Sequence, residues 1–104
     1  MSFNKEQSGY EKTVLSDLQG AWQMLRESIV EAHPFPESQR LLFHIDEAMS
    51  WENVRRLDPM RNILLLIRNI AAQAEVPDEI SENIKIVSED LEEVFIAIKK
   101  GEVI

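Results

Sequence analysis

The sequence predicts an all-α protein, an antiparallel four-helix bundle. Apolar residues recur at three- and four-residue steps through most of the 104 residues. No segment alternates apolar and polar residues over a strand's length. Three turn signals, HPFPES, Asp58-Pro59 and AEVPDE, cut the chain into four helix-length pieces, and turns that short fold consecutive helices back on one another.

The first helix is expected over residues 11–32. Val14, Leu18, Ala21, Leu25, Ile29 and Ala32 form its apolar face, widened by Leu15 and Trp22, which is assigned to the core. Gly20 interrupts the helix formers. His33 precedes Pro34, and a residue before proline disfavours the helical region, so the helix should end there.

The second helix is expected over 37–57, with Leu41, Leu42, Ile45, Ala48 and Met49 on its apolar face. Asp58 is expected to cap a third helix over 59–74, with Pro59 at its first position. The centre of that helix, ILLLI, is apolar all round and implies burial on several sides. The fourth helix is expected over 78–100. Ile80, Ile84, Val87, Leu91, Val94 and Ile98 give a heptad-like seam. Lys99 and Lys100 complement the helix dipole, and Gly101 is placed to cap the end.

The length fits one domain, residues 1–104, with 1–9 expected to be mobile. The 44% hydrophobic content is too high for a disordered chain. The longest apolar run, Ile63 to Ile67, is far too short to span a membrane. MSFNKEQSGYEK lacks a hydrophobic signal core, so a cytoplasmic location is expected. The absence of Cys excludes disulfides, Cys-based zinc sites and thiol nucleophiles. A net charge of −8 argues against binding duplex nucleic acid, which needs a basic footprint.

Catalytic patterns are missing. The three glycines are scattered at 9, 20 and 101, so no loop cradles a phosphate. Neither G-x-S-x-G nor HExxH occurs. His33 and His44 are separated by the double-proline turn, and the paired Glu-x-x-His of di-iron bundles is absent. The expectation is a non-enzyme without cofactor or metal.

Two surfaces carry the functional expectation. Arg40, His44, Glu47, Trp51 and Arg55 step by 4, 3, 4 and 4, which on a helix gathers them into a stripe about 80° wide. With the neighbouring Arg56, this stripe offers indole, imidazole and guanidinium groups for stacking on a base and pairing with phosphate. Arg40, His44, Trp51, Arg55 and Arg56 are therefore the candidate ligand-binding residues. The alternative is that Trp51 closes the core edge while the arginines pair with Asp46, Glu47 and Glu52. Tyr10 suits a lid or a packing role equally. The second surface is the acidic fourth helix, where Glu89, Asp90, Glu92 and Glu93 are the candidate partner-binding residues. That array suits imitation of nucleic-acid phosphates or docking on a basic protein partner; the alternative is a solvated face.

The stretch IDEAMSWEN, with its lead-in PFPESQRLLFH, resembles a helical segment of the phage anti-CBASS sponges. Ile45, Asp46, Glu47, Ala48, Met49, Trp51 and Asn53 fit the segment, and Pro34 and Leu42 fit the lead-in. The resemblance implies a small helical oligomer that sequesters cyclic oligonucleotide immune signals in pockets between protomers. It covers only about a fifth of the chain, and residues 58–104 have no counterpart in it, so no ligand-binding residue is carried over. Separately, IRNIAAQAEVPDEISENI, the length and the helix order resemble the enterocin A-type bacteriocin immunity proteins. That resemblance implies a toxin-neutralising bundle, although many such proteins are basic and this chain is acidic. From the stripe, the acidic helix and these resemblances, the ligand is expected to be a small anionic nucleotide or a basic protein, and the chain a homo-oligomer. The remaining alternative is a structural homo-oligomeric bundle with no ligand.

Overall fold

The computed structural model describes residues 14–53 and 56–101, apart from the side chains of Glu52 and Asn53. Residues 1–9, Tyr10, the expected start of the first helix at 11 and Arg55 lie outside the described residues. Within them are four helices, α1 (Val14–Ala32), α2 (Ser38–Asn53), α3 (Leu57–Ala74) and α4 (Asp78–Lys99), and no strand. The four-helix bundle predicted from the sequence is the fold.

The helices form a ring. α1 packs chiefly on α4 and α2 on α3, α1 also meets α2, and α3 meets α4 along only a short line. α1 and α3 are therefore diagonal, and the α3–α4 seam is the open one. Leu18, Leu25, Ile29, Leu41, Ile45, Met60, Ile67, Val87 and Val94 are fully buried at the centre. Trp22 joins them at 1% exposed, as its place on the α1 face predicted. The α4 seam holds from Ile80 through Val94; in the last turn Ala97 is buried and Ile98 is exposed, which corrects the final seam position.

The α1–α2 turn is tied by Ser38. Its buried hydroxyl lies 2.7 Å from His33 Nδ1 and accepts from the Phe35 amide at 3.4 Å. Across the same pair of helices, Arg26 Nε donates to Asp46 Oδ1 at 2.8 Å. The α2–α3 junction differs from the expected boundary. α2 stops at Asn53, and Arg56, at φ −109° and ψ 90°, is the N-cap of α3. Asp58 and Pro59 sit inside the first turn, so Asp58 is not the cap. The missing proline N–H is harmless there, because the first four helical N–H groups have no intrahelical acceptor. The earlier start also brings Leu57 into the core at 7% exposed. Asp58 still favours the helix electrostatically from its first turn.

α3 ends on Glu75 in the left-handed region (φ 54°, ψ 54°), its N–H donating to the Ala71 carbonyl. α4 ends as the sequence predicted: Gly101 has φ 77°, and its N–H reaches the Ile98 carbonyl at 2.9 Å.

Candidate functional site

The expected stripe lies on the flank of α2 that faces α3. Arg26 of α1 reaches Asp46 on the other flank, and Arg40 lines a surface hollow of about 310 Å³ with Ile70, Gln73 and Ala74 of α3. Along the stripe, His44 and Trp51 are half-buried, Trp51 packed against the core, while Arg40 and Glu47 are exposed. This is the burial expected for a row of side chains at the edge of an apolar face.

The structure splits the stripe into two ends. Arg40 and Trp51 are eleven residues apart, about 16 Å along a helix axis. At the upper end Arg40 Nη1 lies 3.4 Å from Glu37 Oε1, and His44 Nδ1 lies 3.2 Å from Glu47 Oε1. Arg40 and His44 each already have a carboxylate partner, and the Arg40 partner differs from those expected. Arg40 takes Glu37, and Asp46 is held by Arg26. Phe43, 67% exposed, meets the His44 ring edge-on at a centroid distance of 5.3 Å.

At the lower end, Arg56 turns back over Trp51. Its Cζ lies 5.9 Å from the indole centroid, and its backbone N–H donates to the Trp51 carbonyl at 3.0 Å. Arg56 itself is exposed. An exposed guanidinium over a half-buried indole provides a flat surface and a phosphate-binding fork in one place. Trp51 itself packs against the core edge and is partly exposed. Arg61, close to Arg56 in sequence, points elsewhere: its Cζ stands 3.9 Å over the Phe95 ring, and Nη2 donates to Glu92 Oε1 at 3.0 Å.

No protein-family model, curated protein or solved structure matches this chain.

The four acidic candidates do not share one face. Glu92 sits on the α3 side, neutralised by Arg61. Glu89 and Glu93 are exposed, and Asp90 is half-buried toward α1. Burial, and then the charges of Asp17, Glu89 and Glu93, push the Asp90 carboxyl above the usual carboxylate range. Asp17, absent from the expected set, therefore belongs to this cluster. Its helical position in α1 was legible; its position opposite Asp90 was not. Among the described residues, no group of three or more His, Asp or Glu is placed to hold a metal ion, and no helix is long and apolar enough to cross a membrane.

Proposed function

We propose that this chain is a non-catalytic cytoplasmic binding protein that sequesters a small anionic nucleotide, gripped at the α2–α3 corner by Trp51 and Arg56. One observation carries the reading: an exposed guanidinium lies over a partly open indole at the start of α3. Stacking on the ring and charge-assisted bonds to a phosphate are the two interactions such a ligand needs. The resemblance of the IDEAMSWEN segment to phage nucleotide sponges supports the same class of ligand. Arg40 and His44, farther up the flank, would engage a longer ligand only by exchanging their carboxylate partners. Arg55 belongs to the same proposal on its sequence position alone.

Isothermal titration with a panel of cyclic di- and trinucleotides tests this. Binding is expected for at least one of them, weakened about tenfold or more in Trp51→Ala with Arg56→Ala, the loss of one stack and one charge-assisted bond. No heat at high micromolar ligand, or unchanged affinity in the double variant, sinks it.

A second reading is favoured by the crowding around Asp90. Asp17, Glu89, Asp90 and Glu93 place like charges together with Asp90 partly desolvated, and a basic protein would relieve that repulsion. This is the inhibitor or immunity-protein reading. A stoichiometric basic partner recovered on the purified chain, and lost when Glu89, Asp90 and Glu93 become Lys, supports it over the nucleotide reading. Homo-oligomerisation is part of either proposal: Leu65, Leu66, Ile86, Ile96 and Ile98 leave apolar surface exposed on α3 and α4. Light scattering reads it directly.

A further inference from the structure

The open α3–α4 seam is more than loose packing. Two adjoining hollows lie along it, of about 330 and 170 Å³, and they share Arg68 and Ser88. The larger is walled by Arg68 from α3 and by Ser81, Lys85, Ser88 and Glu89 from α4. Its floor is apolar, with Ile84 buried below it and Leu64 and Leu91 continuing under the smaller hollow.

The basic side chains here are unlike those on α2. Arg40 and His44 have carboxylate partners, and so does Arg61 at the far end of the seam. Arg68 and Lys85 have no ion pair or hydrogen bond among the described residues. They face the same hollow from opposite helices, in a chain of net charge −8. Lys85 is also the single cation in the body of α4, among seven carboxylates. Two like charges that share a hollow repel each other when it is empty, and an anion between them reverses the sign of that interaction.

We infer that the α3–α4 seam binds the phosphate group of a small phosphorylated molecule between Arg68 and Lys85. Arg68 offers a planar fork to two phosphate oxygens and Lys85 a compact charge to a third. The Ser81 and Ser88 hydroxyls, on the same stripe of α4, supply neutral donors. The rest of the ligand lies over Leu64 and Leu91 toward Arg61. That end is neutral, because Glu92 compensates Arg61. The seam therefore takes one phosphate with a small apolar body. Glu89 on the wall disfavours a long polyanion. This site is separate from the Trp51–Arg56 corner: Arg68 lies twelve residues beyond Arg56, about 18 Å along the helix.

The test is an amide-resolved NMR titration with two probes, inorganic phosphate and phenyl phosphate. Both are expected to shift Arg68, Lys85 and Ser88. Tighter binding of phenyl phosphate, with shifts extending to Leu64 and Leu91, identifies an ester; equal binding identifies free phosphate, and either supports the site. Arg68→Ala with Lys85→Ala is expected to weaken binding about tenfold or more, since two charge-assisted contacts are lost. Both residues are exposed, so the fold should be retained, and unchanged melting checks this. Lys99→Ala with Lys100→Ala, matched in charge and about 21 Å farther along α4, is expected to have no effect. The inference is overturned if neither probe shifts the seam at millimolar concentration, or if the shifts survive in the Arg68/Lys85 variant. Shifts confined to Trp51 and Arg56 would also overturn it while supporting the corner reading, so the two proposals fail separately.

Discussion

The indole Nε1–H of Trp22 donates a hydrogen bond to the Met60 sulfur at 3.3 Å, in the closed centre of the bundle. The pair links α1 to α3, two helices that lie diagonally and share no close backbone approach. A buried indole N–H also needs an acceptor, and among the described residues it is the Met60 thioether.

Met60→Leu preserves volume and removes that acceptor. It is expected to destabilise the fold by about 1–2 kcal/mol, above the ordinary cost of an isosteric core exchange. Urea unfolding should show a lower midpoint at an unchanged slope. In a Trp22→Phe background the same exchange should cost at least about 0.5 kcal/mol less, because no N–H remains to be stranded. Additive costs would show that the sulfur contact contributes only packing.

Two backbone positions predict gains. A Cβ added at Gly20, inside α1, meets no atom within 4 Å. Gly20→Ala should therefore stabilise by about 0.5–1 kcal/mol through helix propensity. Glu75 is the reverse case, a side chain held at φ 54°. Glu75→Gly should stabilise by up to about 1 kcal/mol by removing left-handed strain. Thermal melts of the two single variants check both signs.

Asp90 predicts a pH dependence. Its carboxyl is raised, so the folded chain holds that proton more tightly than the unfolded chain does. The group therefore lowers stability as pH rises from the ordinary aspartate range, about 3.9, through its folded value. Asp90→Asn should raise the melting temperature at pH 7. The gain should shrink as the pH falls, and vanish once aspartate is protonated in both states. An equal gain at all pH values would mean that packing, and not charge, is responsible.

Much of this protein was legible from periodicity alone. The four helices, the burial of Trp22, the seam from Ile80 to Val94 and the cap at Gly101 all follow from residue type and spacing, because helix formation and burial of an apolar stripe are local rules. The stripe of Arg40, His44 and Trp51 was legible for the same reason. The α2–α3 boundary was not. Asp58-Pro59 reads as a helix start, yet burial of Leu57 draws the helix back to include it.

Only the tertiary structure decided which stripes face one another. Ser81, Lys85, Ser88 and Glu92 step by 4, 3 and 4 along α4, and Arg61, Leu64 and Arg68 by 3 and 4 along α3, so each row was visible in the sequence. Nothing in either row says that they meet, or that α3 and α4 pack least closely of the four neighbouring pairs. Asp17 and Asp90 likewise came together only in the fold. The physical reason is that helical periodicity fixes direction around one axis. Partners across axes are chosen by how four apolar faces close on a common core, and that choice left Arg68 and Lys85 facing an open seam.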